Sequence, residues 1–281
     1  MRLALIGCGL IGTSAVWAMK SAHAVDTVVA YNRHIESAQK AVEIGAADVV
    51  AETMREAVDG ADAVLLAVPV LAMRSVFEEI YPVLGKDSVI SDVGSVRASV
   101  VADARATLGN AVSGYCPVHP IAGGEKTGVD AAQLSLFVGA NAIVTPLPET
   151  RPEARDTWKT LWASTGANLL EMSVAEHDSI FASVSHLPHV AAFALVDAIL
   201  SMPNSQERLS LAGPGFRDTT RIAASSSVMW RDICLSNREA ILTSLSQYEK
   251  SLKALHEAID QSDAETIEAI FERCAKTRRN L

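Results

Sequence analysis

The stretch "GYCPVHPIAGGEKTGVDAA" over 114–132 sets one histidine before a proline and follows it with two glycines and a Glu-Lys pair. An imidazole titrates near neutral pH, so His119 suits proton abstraction. Pro120 biases His119 toward an extended backbone and so aims the ring. Gly123 and Gly124 leave room for a ligand close to the main chain. The pattern predicts a strand over 112–118 with His119 just after it, at the carboxyl edge of an open α/β sheet, where ligands bind. His119 therefore reads as a general base beside a hydride acceptor. Ser95, in "SDVGSVR", is expected to orient that imidazole or to contact a nicotinamide, with an ordinary helix N-cap as the structural alternative.

A hydride acceptor is what the N-terminus offers. In "LALIGCGLIG", Gly7, Gly9 and Gly12 have G-x-G-x-x-G spacing directly after a strand-like run. The first glycine permits a tight turn, the second admits a pyrophosphate to the backbone, and the third lets helix approach strand. Leu10 and Ile11 would then open a helix whose free N–H groups face the anion. Val68 and Pro69, at the end of "ADAVLLAVP", are expected to border the same cofactor. The position about 20 residues beyond the glycines, which selects between nicotinamide cofactors, is Asn32, followed by Arg33. Asn32 carries no charge to repel a 2′-phosphate and Arg33 could clamp one, so NADP is preferred with NAD accepted as the alternative.

Further along, Ser185 and His189 in "SVSHLPHV" are four apart and share a helix face, while Pro188 removes a backbone donor. No metal site is expected, because the spacing of His186 and His189 lacks a partnering glutamate and a third ligand. In "GPGFRDTTRIA", Arg221 or Arg217 would suit an anionic substrate, against the bland alternative of an ion pair with Asp218.

These residues need a frame. "RLALIG", "TVVAYN", "ADAVLLAVP", "DSVISDVG", "NAVSGYCPV" and "NAIVTP" read as short strands, separated by helical stretches to about Ala22 and at 35–45, 70–81, 96–107 and 151–163. Such alternation implies a parallel sheet covered on both faces. After about residue 172 only helical periods remain, at 174–200, 206–212, 219–225 and 236–276. Ile241, Leu245, Tyr248, Leu252, Leu255 and Ile259 form one apolar stripe, and "SDAE" at 262–265 matches a capping box. The expected fold is thus a Rossmann-type doubly wound α/β domain over 1–171 and an all-α domain over 172–281.

Composition narrows the function classes. The chain has 281 residues, about half of them apolar, and a net charge of −9, which disfavours nucleic acid. The longest apolar runs fall short of the roughly 20 residues of a bilayer span. "MRLALIGC" has too short an apolar run for an export signal. Four cysteines without close pairing argue for reduced thiols and a cytoplasmic protein.

Taken together, "GCGLIG", "DVGSV", "HPIAGGEKTGV", "SHLPH", "GFRDTTRIA" and "MWRD" resemble the prephenate/arogenate dehydrogenase family, in that order and over the length of the chain. The resemblance implies oxidative decarboxylation of prephenate to 4-hydroxyphenylpyruvate in tyrosine biosynthesis, with arogenate dehydrogenase or a dual-specificity cyclohexadienyl dehydrogenase as the alternative. More distant readings are a β-hydroxyacid dehydrogenase and a non-catalytic NADP sensor. By the same likeness His119 would accept the 4-hydroxyl proton, Ser95 would hydrogen-bond His119, and Arg221 would hold a carboxylate. His189 would face the pyruvyl chain, Glu125 would sit at the pocket mouth, and Trp230 would approach from the partner subunit of a homodimer formed by the helical domain. Neither an ACT domain nor a chorismate mutase domain is expected.

Overall fold

The computed structural model describes residues 1–124 and 126–280. Its first half alternates β1 (Arg2–Ile6), α1 (Leu10–Ser21), β2 (Thr27–Tyr31), α2 (Ile35–Glu43), β3 (Val49–Val50), α3 (Met54–Val58), β4 (Ala63–Leu66), α4 (Met73–Ile80), β5 (Val89–Asp92) and α5 (Ala98–Thr107). The strands form a parallel sheet in the order β3-β2-β1-β4-β5. Alternate residues of β1 separate the two cores. Leu3 and Leu5 join Val16 and Met19 of α1 on one face, while Ala4 and Ile6 join Phe77 and Val100 on the other. Burial on both faces is why these strands read as continuous apolar runs.

Beyond β5 the architecture departs from the expected all-parallel sheet. β6 (Val118–Pro120) pairs antiparallel with β7 (Asn141–Val144), and β7 pairs in parallel with β8 (Asn168–Glu171), which follows α6 (Pro152–Ser164). The expected strand over 112–118 is not formed. Residues Gly109–Gly114 make a 3₁₀ turn, and His119 lies inside β6 rather than after a strand. Pro117 explains part of this, since it has no N–H to give a ladder. Its carbonyl accepts from Thr145 N at 3.0 Å. A parallel bridge between Ile90 and Tyr115 joins the two sheets.

The remainder is helical: α7 (Val174–Phe181), α8 (Leu187–Leu200), α9 (Ser205–Ser210), α10 (Pro214–Thr220), α11 (Ser227–Ser236), α12 (Arg238–Asp260) and α13 (Ala264–Arg279). The helix expected over 219–225 is the end of α10 followed by a 3₁₀ turn, Arg221–Ala224. A capping box of Ser173 and Glu176 starts α7. The box expected at Ser262 is displaced by one residue, because Ser262 adopts a φ of 55° and Asp263 caps α13 through Thr266 N. Between α7 and α8, Ala182–His186 forms a π-helical turn just before Pro188. That wider turn carries the helix past a residue without a backbone donor.

Candidate active site

At the switch point of the sheet, the β1–α1 turn meets the end of β4. Gly7 has a φ of +103°, and a Cβ placed on it would lie 2.4 Å from Ala67 O. A Cβ on Gly12 would lie 2.5 Å from Ala67 Cβ. Gly9 differs: a Cβ there would meet nothing within 4 Å. Two glycines are thus consumed by packing, and the middle one opens onto space in front of α1. The N-terminus of α1 has no side-chain cap, so its first amides, Leu10 and Ile11 among them, face that space. This cradle fits a dinucleotide pyrophosphate.

The loop after β6 returns over the same helix end. A Cβ on Gly124 would lie 3.7 Å from Leu10 Cδ2, and Gln133 N donates to Ser14 Oγ at 2.9 Å. The segment carrying His119 and its two glycines is therefore anchored on the dinucleotide helix. Val68, just past β4, lies beside Gly7, its Cγ1 3.2 Å from a Cβ placed there, and Pro69 follows it in the chain.

His119 is half-buried, with Nδ1 2.8 Å from His177 Nε2 and the Phe181 ring 5.0 Å away, edge-on. Its pKa lies well below the ordinary imidazole value, first through burial and then through His177, Arg97 and His186. His177 Nδ1 lies 2.8 Å from Asp178 Oδ1. Asp178 also accepts from Arg97 N at 2.9 Å and Ala98 N at 2.8 Å, so it caps α5, a helix with no side-chain cap of its own. Burial raises the Asp178 pKa, but the bonds from His177 and these amides outweigh it and hold it below its usual value. Burial lowers His177 despite Asp178.

Arg97 itself is fully buried and pairs with Asp92 at 2.6 Å, with Tyr115 Oη donating to the same carboxylate at 2.5 Å. Burial lowers Arg97, yet Asp92 and Tyr115 keep its pKa above the ordinary value. This cluster braces the loop that carries Ser95. Among the described residues Ser95 forms no hydrogen bond to His119, whose Nδ1 is taken by His177. Nor does Ser95 cap α5, since Asp178 does. His177, Asp178, Arg97 and Asp92 escaped the sequence reading. The one signal was the "SVAEHD" run, in which a capping box opens a helix directly into a His-Asp pair.

A second group lies on α8 and α11. His189 stacks on Trp230 with ring centroids 3.7 Å apart, and His189 Nδ1 lies 2.9 Å from Ser185 O. Trp230 is thus placed by its own chain, because α11 folds back into the core beside Ile233 and Ile241. It does not have to come from a partner. Arg221 is near enough to His189 to lower its pKa, after the larger effect of burial. Arg217 is exposed and donates to Ala212 O at 3.2 Å. Glu125 lies outside the described residues. No group of histidine, cysteine and carboxylate side chains suited to a metal occurs among the described residues.

The order of these parts is matched by known sequences. Residues 16–171 match the family model for "prephenate dehydrogenase, nucleotide-binding domain", and residues 173–273 that for "prephenate dehydrogenase, dimerization domain". The chain belongs to the prephenate dehydrogenase family. Among curated members of that family, a cyclohexadienyl dehydrogenase of Zymomonas mobilis is 36% identical over 282 residues, covering 100% of this chain and 96% of the relative. A prephenate dehydrogenase of Bacillus subtilis is 34% identical, covering 99% of this chain and 75% of the relative. The crystal structure of prephenate dehydrogenase from A. aeolicus, in complex with hydroxyphenyl propionate and NAD+, superposes with a TM-score of 0.93. It is 33% identical and covers 100% of this chain and 98% of that one.

Proposed function

We propose that this chain oxidatively decarboxylates prephenate to 4-hydroxyphenylpyruvate, with His119 as the base. The observation that supports this reading is the contact of the loop after β6 with α1, through Gly124 beside Leu10 and Gln133 on Ser14, as a proton acceptor next to a dinucleotide cradle would require. Gly7, Gly9, Leu10, Ile11, Gly12, Val68 and Pro69 would hold the cofactor, whose nicotinamide supplies a hydride acceptor when bound. His119 takes the proton of the 4-hydroxyl as the hydrogen on C4 leaves with its electron pair. Cleavage of the bond from C1 to its carboxylate then returns two electrons to the ring, CO₂ departs, and the ring becomes aromatic. His119 gives its proton back to the product oxygen. Arg221, with Arg217 as the alternative, would bind a substrate carboxylate bidentately. His189, Ser185 and Trp230 would line the side-chain end, with Glu125 at the mouth and Ser95 toward the nicotinamide.

For cofactor choice, we infer NADP over NAD. Asn32 is occupied locally, accepting from Cys8 N at 3.0 Å and donating to His34 O at 3.1 Å. Arg33 is exposed and has no hydrogen bond or ion pair among the described residues, so its guanidinium is available to a 2′-phosphate. A second reading, turnover of arogenate as well as prephenate, is favoured by the likeness to a cyclohexadienyl dehydrogenase. The purified protein is assayed with prephenate or arogenate and either cofactor, following reduced-cofactor absorbance and the aromatic product. Prephenate turnover is expected, and its absence with both cofactors removes the reading. Arg33→Ala should raise the KM for NADP about tenfold or more and leave that for NAD nearly unchanged; equal losses would remove the basis for the cofactor preference.

The same proposal divides the chain at 171/172, supported by the end of β8 at Glu171 and the start of α7 at Val174. It makes the protein a homodimer through the helical half, in the cytoplasm. The four cysteines are free thiols, in keeping with a reducing compartment. The continuous helix over Val174–Leu200 is long enough to span a bilayer and holds an 18-residue window with a mean hydropathy of 1.5. Its buried His177 and Asp178, bonded to His119 and to the N-terminus of α5, tie it to the site instead.

A further inference from the structure

We propose that His177 and Asp178 are positioning residues that fix the tautomer and the direction of His119, a role that rests on His119 being the base. The argument starts at the carboxylate. Asp178 receives two backbone N–H groups, from Arg97 at 2.9 Å and Ala98 at 2.8 Å, which requires it to be an acceptor. His177 Nδ1, 2.8 Å from Asp178 Oδ1, must then carry a proton, since a bare nitrogen would set lone pair against lone pair. His177 is fully buried, which disfavours a second proton on its ring. Its Nε2 is left as an acceptor, so His119 Nδ1, 2.8 Å away, is the donor. The only nitrogen of His119 left with a lone pair is Nε2, which makes no hydrogen bond among the described residues. A proton acceptor at that atom is what the chemistry needs.

The chain is rigid at its far end. Asp178 lies on α7 and its two amide partners begin α5, so the carboxylate also pins the helical half to the dinucleotide half. Asn237 Nδ2 donates to the carbonyl of Asp178 at 2.9 Å and contacts His186 Nδ1 at 3.2 Å. Phe181 packs against both rings, 5.0 Å from His119 and 4.5 Å from His177, and prevents them from rotating independently.

Nitrogen-15 NMR of the histidine-labelled, unmodified protein reads the tautomer directly, with His119→Asn and His177→Gln used to assign the signals. The expected result above the titration of His119 is a protonated Nδ1 and a bare Nε2. A proton on Nε2 overturns the proposal, whatever the turnover. In kinetics, His177→Phe removes the acceptor and should lower kcat about tenfold to a hundredfold with the cofactor KM unchanged. His177→Gln, whose carboxamide oxygen can accept the same bond, should recover most of that loss. Wild-type kcat in His177→Phe, or a Gln variant no better than Phe at equal Tm, also overturns it. Failure of the base assignment is read separately, as retained turnover in His119→Asn.

Discussion

At the scale of single residues, the surroundings of His119 both aim its ring and keep it neutral. If His119 accepts the hydroxyl proton, His119→Asn keeps the size of the ring but loses the basic nitrogen. Its kcat should fall about 10²- to 10⁴-fold while the cofactor dissociation constant stays as in the wild type. Turnover within a factor of a few of the wild type would exclude the role. The pH profile follows from the direction of the shift. Burial first, and then the neighbouring His177, Arg97 and His186, disfavour the imidazolium, so in the folded protein His119 stays neutral, and competent, to lower pH than a free imidazole. The acid limb of kcat/KM should therefore lie below the ordinary value of about 6.5; a limb above 6.5 would assign it to another group. His119 was legible because its neighbours in sequence, a proline and two glycines, are the ones that shape its backbone. Its hydrogen-bond partner was not legible, since His177 lies 58 positions away.

At the scale of elements, the three glycines of the β1–α1 turn serve different purposes and should fail differently. Gly9 has a φ of −92° and open space beside it, so Gly9→Ala should fold with an unchanged Tm yet bind cofactor at least tenfold more weakly, because the methyl group occupies the pyrophosphate's approach. Gly12→Ala drives a methyl into Ala67 and the Gly7 carbonyl and should cost about 1–3 kcal/mol. Calorimetry and cofactor titration on the pair decide this; a loss of stability in both variants would mean the loop is packed rather than open. These elements were legible where the local period was strong, as in β1, α1 and α12. The run at 112–118 was misread because its valines suggest a strand, while Gly109, Gly114 and Pro117 favour turns. Pro188 marks the π turn only as a place where a backbone donor is missing, and the width of the turn comes from how α7 and α8 join.

At the scale of the molecule, the helical half carries more apolar surface than one chain can cover. Tyr248, Leu252 and Ile259 on α12 are 37%, 48% and 58% exposed, along the stripe that periodicity had marked. Leu195 and Leu200 on α8 add to it. A second copy seated on this surface would take the stripe out of water. The double variant Tyr248→Asp, Leu252→Asp should halve the mass seen by sedimentation equilibrium, whereas the parent should run as a dimer. An unchanged mass would move the interface off α12.

What the sequence determined is whatever depends on close neighbours: glycine spacing around a turn, a histidine held extended by proline, the change from alternating elements to continuous helical periods after about residue 172. Those features are set by sterics and by the side-chain period of each element. What only the tertiary structure decided is which groups meet. The pairing of Asp178 with the start of α5, of His177 with His119, and of Trp230 with His189 comes from packing between elements far apart in the chain. Such packing is selected by the shape and burial of whole faces, which no local pattern encodes.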